Sequence, residues 1–221
     1  SKIQYFFCNE ILRPSFYESE KWDVERCERH SIFISQGLTS YKGMHMLLQA
    51  MPWIKEEFPD AVIYSTGEVG RNRYTSHPVR NSYENFLFYL IKKYQLDDSV
   101  YFLGYLDEKQ MRERFLKSHV YVNTSSIENE SNALSEAKIL GVPSVAAYEG
   151  GVINRISHGE DGFLYPFHEP NILAEYVCRI FRDDHLAIAI SENARESASQ
   201  INDKRINSEK LMEIYHIILK S

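Results

Sequence analysis

The chain has 221 residues, 25 of them Lys or Arg and 31 Asp or Glu, giving a formal net charge of −6 with 43% hydrophobic residues. Such a chain can bury a core of its own without a metal or disulfide staple, and it reads as one globular domain. The negative balance excludes general affinity for nucleic acid, which depends on Lys and Arg neutralising phosphates, so an anionic ligand has to be held locally.

Short apolar runs alternate with amphipathic stretches along the chain. Residues 31–36 (SIFISQ), 61–66 (AVIYST), 100–103 (VYFL), 119–123 (HVYVN) and 143–147 (PSVAA) are rich in Val, Ile, Tyr or Phe. Each leads into polar or turn-forming residues, the pattern of buried parallel strands. Met44, Leu47, Leu48, Met51 and Ile54 fall on one helical stripe that Pro59 cannot extend past. Further helices are predicted over 82–94, 108–117, 132–140, 172–182 and most of 186–220. Residues 158–162 (HGEDG) read as a turn into a short strand, FLY. The expected fold is α/β: a Rossmann-like parallel sheet with helices on both faces, core over about 31–185, C-terminal helices over about 186–220.

Cys8, Cys27 and Cys178 are scattered and fit neither CxxC nor a disulfide framework, so they read as reduced thiols of a cytoplasmic protein. No apolar stretch approaches the roughly 20 residues of a membrane span, and SKIQYFFCNE lacks a secretion pattern. The chain starts without Met, as a segment of a longer protein would. Its eight histidines form no HExxH or short-range His/Cys cluster, and no GxSxG elbow is present.

In a parallel α/β sheet ligands sit beyond the carboxyl ends of the strands, which directs attention to the loops there. Gly37 to Gly43 (GLTSYKG) opens a helix, and small residues followed by Lys42 at a helix start can hold a phosphate, or form an ordinary turn with a solvated Lys. It is not a Walker A loop. NTSSIENESNALSE, residues 123–136, leaves a strand and enters a helix capped by Ser131 or Asn132. Glu128 precedes that helix and Glu136 lies about one turn inside it, so a phosphate on the amides of Asn132, Ala133 and Leu134 would have a carboxylate on either side. Alternatively, Glu136 only complements the helix dipole. Gly150-Gly151 permits close backbone approach or a tight turn. The long polar stretch 67–81 contains Arg71 and Arg73.

Gly37…Lys42-Gly43, FLGYL at 102–106, Glu128 and Glu136 in an E-x7-E spacing, Gly141-Val142-Pro143 and Gly150-Gly151 occur in the order of the family 4 retaining glycosyltransferases, and the chain resembles that family over most of its length. The stretch 127–132 (IENESN) is similar to bacterial members that build capsular or surface polysaccharides. The resemblance implies the C-terminal, donor-binding half of a GT-B enzyme, whose N-terminal acceptor domain is not in these residues. It implies transfer of a sugar from a UDP- or GDP-sugar to a glycan or lipid-linked acceptor with retention, without cofactor or metal. The full-length protein would be cytoplasmic, peripheral at the inner face of the membrane where its acceptor is lipid-linked. Lys42 would contact the diphosphate, Glu128 the donor sugar, Glu136 the ribose, the amides of 132–134 the phosphates, Tyr105 and Leu106 would lie near the base, and Gly37 would also belong to the donor site. Where many members carry Arg, this chain has Leu38, which leaves Arg71 and Arg73 as possible diphosphate partners. A nucleotide-sugar-binding module without transfer and a GT-B-fold sugar-nucleotide epimerase are the alternatives.

Overall fold

Six strands make one sheet in a computed structural model that describes residues 5–70 and 80–220. The strands are β1 (Glu28–Ile34), β2 (Val62–Ser65), β3 (Val100–Phe102), β4 (Ser118–Asn123), β5 (Ser144–Ala147) and β6 (Phe163–Tyr165). Their order is β3-β2-β1-β4-β5-β6, and every neighbouring pair is parallel. A short helix, α1 (Pro14–Tyr17), precedes the sheet; α2 (Met44–Glu57), α3 (Ser82–Lys93), α4 (Glu108–Lys117) and α5 (Asn132–Leu140) make the crossovers, and α6 (Pro170–Arg182), α7 (Asp184–Ile201) and α8 (Lys204–Lys220) follow β6. Helix α2 packs with α3 and α6, while α5 packs with α1, α4 and α7. The sheet is covered on both faces, which is why β4 and β5 are buried throughout, the polar ends of β4 included.

The expected elements are present, with three differences. First, β1 starts at Glu28 rather than residue 31: Glu28 pairs with Ser118, the register then shifts before Ile32, and His30 takes φ 56°. A bulged strand opening on Glu-Arg-His hides its apolar character. Second, the core does not start at residue 31. Leu12, Phe16, Trp22 and Val24 are buried in it, and Trp22 donates its backbone N–H to the Leu140 carbonyl at 2.8 Å and its indole N–H to the Ser118 carbonyl at 2.8 Å. Third, the C-terminal helices expected over about 186–220 begin at Asp184 and divide at 202–203. Asn202 is buried and donates its side-chain amide to the Glu10 carbonyl at 3.1 Å, and the Ile206 N–H donates to the Asp203 carboxylate at 2.7 Å, so α7 stops and α8 starts afresh. Arg71 and Arg73 lie outside the described residues.

Burial also accounts for the cysteines: all three are free, and burial raises the Cys27 and Cys178 thiols to about 11. His119 on β4 is buried against Phe181, with ring centroids 4.8 Å apart, and its Nδ1 accepts the His30 N–H at 3.2 Å. Burial lowers its pKa from 6.5 to about 3. The unfolded chain therefore takes up a proton at this residue below pH 6.5 that the folded chain refuses. The stability contributed by the neutral ring is complete above pH 6.5 and is lost as pH falls from there toward 3, at a slope approaching about 1.4 kcal/mol per pH unit. Urea midpoints followed from pH 7 to 4 should fall more steeply for wild type than for His119→Phe. Parallel curves would show that the ring protonates as readily folded as unfolded.

Candidate functional site

The strand order reverses between β1 and β4, so the loops leaving these strands diverge and open a crevice at the carboxyl edge of the sheet. The two loops are tied across it. Thr124 Oγ1 donates to the Lys42 carbonyl at 2.7 Å, the Ser126 N–H donates to the Tyr41 carbonyl at 2.8 Å, and Lys42 Nζ makes an ion pair with Glu128 Oε1. Ser125 Oγ donates to the same carboxylate oxygen at 3.0 Å. Backbone fit makes this tie possible. Gly43 has φ 70°, and a Cβ there would run into the Thr124 carbonyl; one at Gly37 would run into Ser65 and Met44.

A cleft of about 540 Å³ lies beside this tie. One wall is the start of α5, with Asn132, Ala133 and Glu136; the floor is Ser35 and Gln36 at the end of β1, and Tyr105 and Leu106 close the far end. Gly67 bridges to Gly104 there, its N–H donating to the Gly104 carbonyl at 2.9 Å. Gln36 takes φ 54°, a left-handed conformation unusual for this residue, with its N–H on Thr66 Oγ1 at 2.7 Å. Ser131 caps α5: its hydroxyl accepts the Leu134 N–H at 3.4 Å and the Asn123 side-chain amide at 2.8 Å. The Leu134 side chain is buried in the core.

Glu136 is almost fully buried at this wall, and the guanidinium of Arg13 grips both its oxygens, Nε to Oε1 at 2.7 Å and Nη2 to Oε2 at 2.8 Å. Burial pushes the Glu136 carboxyl above its usual range while Arg13 pulls it down. Arg13 is the site residue that reading the sequence missed. It lies 123 positions from its partner, in a stretch without periodicity, and no local spacing signals it.

The sequence-predicted residues therefore fall into two groups. Tyr105, Leu106, Asn132, Ala133 and Glu136 line one cleft, with Gly37 next to its floor. Lys42 and Glu128 meet each other in the adjoining loop tie. Leu38 packs against the core and toward Gly67. Gly150 and Gly151 let a 3-10 turn lie on the Glu128 loop: the Gly151 N–H donates to the Glu128 carbonyl at 2.9 Å, and a Cβ on Gly150 or Gly151 would collide with the carbonyl of Glu128 or Asn129, respectively. His158 and Gly162 form the bridge of the expected turn. Among the described residues no cluster of three or more His, Cys, Asp or Glu is placed to hold a metal.

A doubly wound parallel sheet with a capped helix start and a buried carboxylate at its reversal point belongs to the class of open α/β domains, whose crevice lies beyond the carboxyl ends of the strands. The model of the family described as glycosyl transferases group 1 matches residues 18–197, and the chain belongs to that family. The chain is 24% identical over 212 residues to the uncharacterized glycosyltransferase YqgM of Bacillus subtilis, covering 96% of this chain and 56% of that protein. It is 26% identical over 178 residues to WcaL of Salmonella typhimurium, a glycosyltransferase provisionally assigned to colanic acid biosynthesis, covering 77% of this chain and 41% of that one. Among solved structures, Anabaena HepE in complex with UDP-glucose superposes with a TM-score of 0.74 at 24% identity, over 86% of this chain and 49% of that one. The chain thus spans about half the length of the curated relatives it matches.

Gly151→Ala tests whether the glycine pair shapes the Glu128 loop. Its backbone angle is ordinary, so the cost is steric, and stability to denaturant should fall by about 1–3 kcal/mol. Unchanged stability would mean that the loop yields at Asn129 and the glycine is dispensable.

Proposed function

We propose that this chain is the donor-binding half of a retaining glycosyltransferase, holding a nucleoside diphosphate sugar in the 540 Å³ cleft. The observation that carries the reading is the buried Glu136 carboxylate one turn inside the helix whose capped start faces the same cleft. A helix start favours the diphosphate through its unpaired N–H groups and dipole. A carboxylate one turn further on, about 5.4 Å along the axis, is spaced to accept the ribose hydroxyls. The base lies toward Gly104, Tyr105 and Leu106.

Lys42 stands at the neighbouring loop tie with three donors on its ammonium group, so it contacts the diphosphate while keeping Glu128. The other Glu128 oxygen, which neither Lys42 nor Ser125 takes, accepts a hydroxyl of the donor sugar. Charge grows on the diphosphate as the glycosyl bond breaks. A fixed cation and a helix start aimed there lower the barrier because they act more strongly in the transition state than in the ground state. The acceptor, a glycan or a lipid-linked sugar, is supplied through the part of the full-length protein outside these residues, and transfer builds a polysaccharide. The full-length protein works in the cytoplasm, at the inner face of the membrane when the acceptor is lipid-linked. No helix among the described residues is long and apolar enough to cross a membrane.

Thermal melting with UDP, GDP and ADP, with and without an attached sugar, tests this reading. Ligand at 100 times its dissociation constant adds about 2.7 kcal/mol, or roughly 5–10 °C for a domain of this size. One base should give such a shift. Glu136→Ala should abolish it for the free nucleotide, whereas Glu128→Ala should remove only the further shift due to the sugar. No shift with any nucleotide, or equal losses in both variants with free nucleotide, would overturn the assignment.

A further inference from the structure

The carboxylate that the reading above gives to the ribose is already occupied. Arg13 meets Glu136 fork to fork, each oxygen taking one N–H, so the edge on which a ribose diol would chelate is filled by the guanidinium. The two partners differ in accessibility: the Glu136 side chain is 7% exposed and that of Arg13 is 37% exposed. The cation is thus the outer, movable member, and Glu136 is the fixed one. Besides Glu136, the Arg13 guanidinium rests on the Phe16 ring, 4.6 Å from its centroid, and lies within electrostatic reach of the Glu108 carboxylate, so it has contacts that survive its release from Glu136.

Charge balance points the same way. At the loop after β1 this chain has Leu38, packed toward the core, and its lysine is shared with Glu128. Lys42 and Arg13 are cancelled by Glu128 and Glu136, so the empty site offers a diphosphate no net positive charge. A ligand that takes the ribose edge of Glu136 changes this, because it releases Arg13 inside the cleft. Arg13 lines that cleft together with Asn132 and Ala133 at the start of α5, so the released guanidinium is about one helical turn from where a diphosphate rests. Its planar fork suits phosphate oxygens as well as carboxylate oxygens.

We propose that Arg13 is an exchangeable counter-ion: it closes the ribose edge of Glu136 in the empty cleft and, displaced by the nucleoside, becomes the second cation on the donor diphosphate. This rests on the donor-binding reading above. Arg13 then acts as a selectivity device. A nucleoside without phosphates breaks the Arg13–Glu136 pair and leaves the guanidinium only the half-exposed Glu108 carboxylate nearby, whereas a nucleoside diphosphate exchanges one paired anion for another.

The test is the ratio of two affinities, UDP to uridine, or GDP to guanosine if melting selects guanine, measured by calorimetry and by competition at pH 8. In Arg13→Ala the nucleoside should bind as well as to wild type or more tightly, while the diphosphate weakens, so the ratio should fall by about ten- to a hundredfold. Arg13→Lys keeps the charge but loses the fork, so its ratio should fall in the same direction by a smaller factor, about three- to tenfold, and it serves where the alanine variant does not fold. An unchanged ratio in Arg13→Ala, or equal weakening of both ligands, would overturn the proposal and leave Arg13 a structural partner of Glu136. If Arg13→Ala does not fold, an unchanged ratio in Arg13→Lys has the same force. Wild type that binds neither UDP nor GDP would instead overturn the donor-binding reading itself.

Discussion

Two carboxylates withdrawn from solvent at one edge of a sheet must each have a cation, and the mouth of this domain is organised around that constraint. An unpaired buried carboxylate either costs several kcal/mol or takes up a proton. Glu128 and Glu136 flank the start of α5, and each draws its cation from a distant part of the chain: Lys42 from the loop after β1, 86 positions away, and Arg13 from the segment before the sheet, 123 positions away. The first pairing closes the crevice between β1 and β4. The second brings the N-terminal stretch onto α5, where Leu12, Phe16 and Trp22 complete the core. In a chain of net charge −6, these pairs bring two cations to the mouth of the domain and at the same time neutralise them.

The helix that carries Glu136 is held at both ends. At its start Ser131 caps the first turn and is itself fixed by Asn123 from the end of β4. At its end Gly141 takes φ 83°, where a Cβ would run into Ser191 and Arg195 of α7. Near that end Lys138, almost wholly buried, donates to the Asp161 carboxylate at 2.7 Å, and Asp161 also accepts from Ser197 and the Ser157 N–H. Burial pushes the lysine down while Asp161 pulls it up, and breaking such a pair would strand one charge in the core. Because α5 is gripped by the sheet, α7 and the turn before β6, its first turn presents Asn132, Ala133 and Glu136 from a rigid base. The paired glycines after β5 extend that support to the Glu128 loop.

Much of this was legible before any coordinates. Alternating strand and helix patterns foretell the parallel sheet, because strands covered on both faces must be apolar throughout and their crossovers must be amphipathic helices. The glycines at 37, 43 and 141, a cap at Ser131 or Asn132 and the Glu128–Glu136 spacing are local features, and local geometry is what neighbouring residues dictate. They sufficed to point to the strand ends, to the start of α5 and to the family. The opening of β1 was not legible, since a bulge carrying Glu, Arg and His interrupts the periodicity, nor was the break at Asn202 and Asp203, where buried amide bonds to remote carbonyls end a helix whose pattern runs on.

The sequence by itself determined the layers of the fold, the edge of the sheet where the candidate site is proposed and the carboxylates that stand there, because each follows from periodicities and spacings within about a dozen residues. Only the tertiary structure decided which charges meet: that Lys42 lies on Glu128, that Leu38 turns toward the core, and above all that Arg13 holds Glu136. An ion pair leaves no trace in local spacing when its partners are brought together by the packing of α1 on α5. Which cation satisfies a buried carboxylate is settled by where the chain folds back, and not by the residues beside it.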